Sequence, residues 1–343
     1  MAGKHKVDAS GQDERGRKQS ARVFPVYTAV DTLKLPDPDE LVEEVLPEGG
    51  VGLLYGSAGA CKTFTALDLA FSVASGREFV GHAVKRRPVL FIAAEGQLGI
   101  KQRLSALLQE HGTPANLVLF FILEPIQLAD VDDVEKLKRT LAEFDVPPAL
   151  IIFDTFHRCT SGVDENSSKD IGIVLNHVEA IRKTINGNIL LVHHSGKDAS
   201  KGARGSSALD GAVDTLIRCH KSGDLIELHC KKQKDAAPFD PITLKLKQVD
   251  IGGGQSSCVI ERASPPARSQ ENRERDILNI LAGFGSAGAR HGELKRACVE
   301  TPDISPSAFD RAWRELKESP VVEKGPDDHY YYRAAANDNQ DET

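Results

Sequence analysis

Gly56-Ser57-Ala58-Gly59-Ala60-Cys61-Lys62-Thr63 follows a short apolar run and leads into a stretch of helical periodicity. With one exception it fits G-x-x-x-x-G-K-[ST]. The physics of that pattern is an anion nest, in which successive backbone N–H groups and the positive end of a helix converge on a phosphate. Lys62 then reaches the β- and γ-phosphates of a nucleoside triphosphate, and the Thr63 hydroxyl binds Mg²⁺. The exception is Cys61, which stands where the pattern has its second glycine. Its position at the entry to the helix implies a helical φ that tolerates a Cβ, with the thiol close enough to crowd a phosphate. Two plainer readings stand beside this one: a small-residue turn with a chance Lys-Thr, and a loop that binds nucleotide but turns it over poorly.

A phosphate loop that does chemistry needs a carboxylate for Mg²⁺ and a group that positions water. Leu150-Ile151-Ile152-Phe153-Asp154 is an apolar run ending in an acid, which suits Asp154 to hold Mg²⁺ through water. Val89-Leu90-Phe91-Ile92-Ala93-Ala94-Glu95 ends the same way, and Glu95 is the candidate to orient or deprotonate water, unless it is an exposed loop carboxylate. A third run ends in His193-His194, suited to hydrogen-bond a γ-phosphate and report its loss. Neighbours on a strand point to opposite faces, which disfavours a shared metal, and a buried structural histidine is the other alternative. Arg204, in a small-residue loop, and Lys232 and Lys234, after a later run, are candidate cations for the γ-phosphate, sometimes supplied by a neighbouring subunit. A solvated charge cluster is the alternative for each.

These residues sit at the ends of apolar runs at 51–55, 89–93, 117–122, 150–153 and 189–192. Helical stretches at 63–75, 98–110, 134–144 and 171–184 lie between them. The runs are continuous rather than alternating, which predicts strands buried on both faces of a parallel sheet, hence an α/β fold. Runs at 213–219, 225–230 and 242–246 follow with short turns and predict an antiparallel extension. The Gly-, Ser- and Pro-rich stretch 251–270 reads as a linker. Beyond it, helices at 271–282, 292–299 and 306–318 and a ribbon at 321–332 have the outline of a winged helix. Its second helix-turn-helix element would present Arg311, Arg314 and Lys317 to DNA. Acid and base nearly balance there, so a protein partner stays open. Polar tails at 1–23 and 334–343 are expected to be disordered, and residues 24–47 form an arm into the first core strand.

Composition narrows the class. The 343 residues carry 43 basic and 50 acidic side chains, a net charge of −7, with 40% apolar and 27% charged residues. This is a globular composition, and no run approaches the ~20 apolar residues of a membrane span. The polar N-terminus lacks the apolar core of a secretory signal. Six cysteines without a Cys-x-x-Cys pair argue against zinc and a disulfide framework, and a reducing cytoplasm is expected.

GSAGACKT, FIAAEG, LIIFDT, LLVHHSGK and ARGSSALDGAVD, in that order, resemble the RecA-like ATPases of the plasmid replicative helicase RepA family (AAA_25 type) and, more distantly, the DnaB and RecA core. The resemblance covers residues 46–250. It implies a RecA-like fold, ATP and Mg²⁺ in a cleft between subunits, and a ring that is often hexameric. Residue by residue it makes Lys62 and Thr63 the phosphate-loop pair, Glu95 the catalytic acid, Asp154 the metal-site acid, and His193 and His194 the histidine motif. Arg204 matches a loop arginine. Lys232-Gln233-Lys234 resembles a Lys-x-Arg finger with lysine in place of the arginine, which loses the planar bidentate fork. The expectation is therefore a motor acting on single-stranded DNA in replication of a plasmid, phage or integrated element, with replication proteins as partners. Lys197 and Lys201 would line its pore. The rival expectations are a nucleotide-dependent regulator and a transcription factor whose core only drives oligomerisation.

Overall fold

A computed structural model describes residues 26–35, 39–195, 207–264, 270–300, 304, 306–325 and 327–333. The chain divides into two units, Met1–Pro38 and Asp39–Thr343. In the first, Thr28 caps a single helical turn, α1 (Ala29–Thr32), by accepting from the Asp31 amide.

The second unit begins with β1 (Glu40–Val42) and β2 (Leu46–Pro47), a small antiparallel pair. The βα succession follows: β3 (Gly50–Gly56), α2 (Lys62–Ser75), β4 (Val89–Ala93), α3 (Gln97–His111), β5 (Leu119–Ile122), α4 (Val131–Ala142), β6 (Leu150–Asp154), α5 (Ser168–Ile185) and β7 (Asn188–His194). After α6 (Ser207–Ala212) come β8 (Thr215–Ser222), β9 (Leu225–Gln233), β10 (Ile242–Gly252) and β11 (Gln255–Arg262). One nine-stranded sheet contains β3 to β11 in the order β11-β10-β9-β8-β3-β7-β6-β4-β5. This is an α/β core with a mainly parallel sheet.

Every residue of β4 and β6 is buried, as the unbroken apolar runs require of strands covered on both faces. One apolar core lies between the sheet and α2 and α3, the other between the sheet and α4 and α5. Sequence sets the helix starts. Asp130 caps α4 by accepting from the Asp132 amide, and Ser167 caps α5 by accepting from the Asp170 amide.

Two expectations change here. The first strand of the expected antiparallel extension, β8, is parallel to β3, and antiparallel pairing starts only with β9. The partner that sets the direction of β8 lies far back in the chain, where no turn signal reaches. The stretch expected as a linker instead contains β11, paired with β10 from Leu244↔Arg262 to Gly252↔Gln255. Its three glycines, all at positive φ, form the hairpin turn, and Val259 and Ile260 are buried in the first core. β10 and β11 pack back over α3, where Lys247 meets Glu110 at 2.7 Å.

The C-terminal part has its own core. It comprises α7 (Gln270–Gly283), β12 (Ala289–Arg290), α8 (His291–Glu300), α9 (Pro306–Leu316), β13 (Val322–Lys324) and β14 (His329–Tyr332). Its three strands are ordered β12-β14-β13. Phe309, Ala312, Trp313 and Leu316 give α9 a buried face at helical spacing, with Trp313 edge-on to Tyr330. No described helix is long and apolar enough to cross a membrane.

Candidate functional site

Register brings the candidates together. β3 lies between β8 and β7, with Gly56 opposite His194. Along β6 and its neighbours, Asp154 stands opposite Val192 on one side and Ala93 on the other. The C-terminal ends of β3, β4, β6 and β7 therefore share one edge, and the chain leaves β3 to reach β4 across two strands. A crevice of that kind, outside the carboxyl ends of parallel strands, is where open α/β sheets bind ligands.

A cavity of about 280 Å³ opens there, lined by Gly59, Cys61, Lys62, Thr63, Glu95, Arg103, Thr155 and His194 among others. Gly56 has no alternative at its position, because a Cβ would collide with the Cys219 carbonyl oxygen. Gly59 has φ +78° and open space around its Cα, as a loop whose amides face an anion requires.

Cys61 departs from expectation. The helix begins at Lys62, one residue before the expected start, yet Cys61 is its N-cap with φ 66° and ψ 21°, in the left-handed rather than the helical region. That geometry is the reason for glycine at this place in the pattern, and a Cβ there costs ~1–2 kcal/mol. The thiol points back to the Gly59 carbonyl oxygen at 3.6 Å, and partial burial raises its pKa.

Lys62 is buried, and its ammonium donates to the Gly56 and Ser57 carbonyl oxygens at 2.9 and 2.8 Å. It also lies 3.3 Å from His194 Nδ1. Burial lowers the pKa of both, with mutual repulsion adding to the effect on His194. Asp154 is buried, its Oδ1 has no hydrogen-bond partner among the described residues, and the Thr63 side chain hydrogen-bonds its carboxyl group. Burial pushes its pKa up to about 6, against the lowering influence of Thr63 and Arg103. An orphan carboxylate oxygen beside a threonine hydroxyl at a phosphate loop fits hydrated Mg²⁺, whose charge would supply the missing partner. Glu95 is exposed, and both its amide and that of Ala94 donate to the Asp154 carbonyl oxygen, at 3.2 and 2.8 Å.

Only one histidine of the pair reaches the cavity. His193 turns to the opposite face, buried and edge-on to Phe156 at 5.4 Å, because adjacent strand residues alternate. Lys232 and Lys234 do not line the cavity. Lys232 donates to the Asp210 and Gly211 carbonyl oxygens at the end of α6, and Lys234 lies 3.4 Å from Asp214. Lys197, Lys201 and Arg204 lie outside the described residues. Arg311 and Arg314 are exposed on α9, and Lys317, also exposed, follows its last residue.

Thr155 and Arg103, with Phe64 and Gly96 beside them, line the cavity without having been singled out from sequence. The Arg103 guanidinium stacks over Phe64, 5.2 Å from the ring centroid, and lies close to Gly96 and Gly99. The signal was those two glycines, seven and four residues earlier on the same helix face, which leave room for the guanidinium.

The fold and this cradle define a phosphate-loop nucleotide-binding core. The family model of the AAA domain (AAA_25) matches residues 18–200, more than half of the chain, and the chain belongs to that family. A crystal structure of the RadB recombinase is similar at a TM-score of 0.44 and 14% identity, over 58% of this chain and 88% of that one, a likeness too loose to bear on function. No curated protein matches the chain.

Proposed function

We propose that the chain is an ATP-hydrolysing motor of the replicative-helicase type. In this reading it works in the cytoplasm as a head-to-tail ring, hexameric in the resembling helicases. It acts on single-stranded DNA alongside the replication proteins of a plasmid, phage or integrated element. The observation that carries this is the convergence of Lys62, Thr63, Glu95 and His194 on one cavity at the end of four strands, with Asp154 hydrogen-bonded to Thr63 behind it.

Lys62 exchanges its carbonyl partners for the β- and γ-phosphates of ATP, and the amides of residues 56–63 hold the phosphate oxygens. Thr63, and Asp154 through water, would hold Mg²⁺, whose charge would neutralise the phosphates when bound. Glu95 accepts a proton from the attacking water, and His194, released by Lys62, senses the γ-phosphate. A neighbouring copy supplies the remaining cation from Arg204 or from the Lys232–Lys234 pair, whose lysines give up their present contacts to do so. Lys197 and Lys201 face DNA. The C-terminal part acts as a winged helix, with Arg311, Arg314 and Lys317 on phosphates.

Steady-state ATP hydrolysis with and without single-stranded DNA tests this reading. DNA-stimulated hydrolysis in the wild type that is lost in Lys62→Ala is expected, and equal rates in the two would remove the assigned site. The left-handed Cys61 favours one other reading, a nucleotide-binding regulator with slow turnover. A strand-displacement assay separates them, since a regulator binds ATP and unwinds nothing.

A further inference from the structure

Thr155 follows Asp154 and is the N-cap of a short 3-10 turn, residues Phe156–Cys159. Its carbonyl oxygen accepts from the Arg158 and Cys159 amides, which fixes its backbone. A threonine at an N-cap ordinarily turns its hydroxyl back to accept from its own first turn. Here it makes no such bond. The hydroxyl instead crosses to another strand and donates to Glu95 Oε2 at 3.1 Å, although Thr155 itself is only 5% exposed.

Glu95 sits at the start of a loop, exposed, directly before a left-handed glycine, Gly96 at φ 65°. Its backbone is tied to the Asp154 carbonyl oxygen, while among the described residues its carboxylate has this one side-chain donor. Thr155 thus sets the rotation of the carboxylate and leaves Oε1 to accept from a water in the cavity that both residues line. We propose that Thr155 is the positioning residue for the general base Glu95, holding one carboxylate oxygen so that the other faces the attacking water. This rests on the motor reading given above.

The test compares wild type, Thr155→Val and Thr155→Ser in full-length protein, by kcat and KM for MgATP and by nucleotide affinity in calorimetry. Misplacing a reacting group by about 1 Å costs up to about a hundredfold in rate. Thr155→Val is therefore expected to lower kcat about ten- to a hundredfold, with KM and nucleotide affinity within about twofold. Thr155→Ser, which keeps the hydroxyl, should recover most of the loss. In a Glu95→Gln background Thr155→Val should have no further effect on kcat, because the two act as one unit. A merely structural hydroxyl would lower the melting temperature and leave kcat untouched, and that result overturns the proposal. So does an additive loss in the Glu95→Gln background. A wild type that binds MgATP without hydrolysing it would defeat the motor reading instead, and calorimetry on the same samples tells the two failures apart.

Discussion

The inner strands β3, β4, β6 and β7 and the outer strands β8 to β11 belong to one sheet, yet their charged residues are held in opposite ways. At the inner ends valence is left over. Asp154 Oδ1 has no partner among the described residues, Glu95 is exposed, and the Lys62 ammonium is parked on carbonyl oxygens of the loop it serves. On the outer strands the cations are committed to structure. Lys232 closes the end of α6, Lys245 pairs with Glu261 at 2.9 Å, Lys247 pairs with Glu110, and Arg262 donates to the Val80 carbonyl oxygen at 3.0 Å. Leaving a buried polar group unpaired costs ~1–3 kcal/mol, so spare valence persists where a ligand completes it. The difference separates a subunit's own nucleotide site from the scaffold around it, and any cation the outer strands lend to a neighbouring copy must first leave its contacts here.

The sharpest way to break this comparison is at Glu95. Glu95→Gln is expected to lower kcat for ATP by roughly 10²–10³-fold with nucleotide affinity kept, since general-base catalysis contributes on that scale. Unchanged hydrolysis would return Glu95 to the status of an exposed loop acid.

The far side of α2 gives the next effect. Asp68 is fully buried, with Arg77 Nη2 at 2.6 Å, and burial still pushes its carboxyl up to about 6 from 3.8. The folded state then binds more protons than the unfolded one between those values. Stability from this group is present at low pH and lost as pH rises through about 4 to 6. Asp68→Asn does not titrate, so its stability relative to wild type should shift by ~2 kcal/mol in its favour between pH 4.5 and 7, read from urea unfolding at each pH. A pH-independent difference would place the carboxylate in a well-compensated ion pair.

On the outer strands, Lys232→Ala removes a cation from two carbonyl oxygens at a helix end. It should cost ~1 kcal/mol of stability and leave nucleotide affinity of the isolated chain unchanged, measured by thermal melting and calorimetry. A large loss of affinity instead would bring β9 into the site. The smallest effect is at Cys61. Cys61→Gly relieves the left-handed strain but adds freedom to the unfolded chain, for a net gain of ~0.5–1 kcal/mol and tighter phosphate binding. A destabilised glycine variant would show that the thiol contact with Gly59 outweighs the strain.

Much of this architecture could be read from the residues alone. Unbroken apolar runs marked β3, β4, β6 and β7, and polar residues at their ends marked Lys62, Asp154, Glu95 and His194, because parallel strands aim their carboxyl ends at one edge. What sequence left hidden depended on distant partners or on single backbone angles. Cys61 was misjudged because one residue decides where the loop ends and the helix begins. β11 passed for a linker because three glycines serve a tight hairpin as well as a flexible tether. Arg103 lies inside a helix whose periodicity carries no site signal, and Thr155 acquires its role from a carboxylate on another strand.

The central claim is that residues 56–63 form a working phosphate cradle despite Cys61. Titration calorimetry of MgATP into wild type and Lys62→Ala, with circular dichroism confirming that both are folded, tests it most directly. The expected result is saturable binding in the wild type that weakens at least about a hundredfold in the variant, the loss of a buried charge-assisted phosphate contact. No heat in the wild type, or equal binding in both proteins, would contradict it.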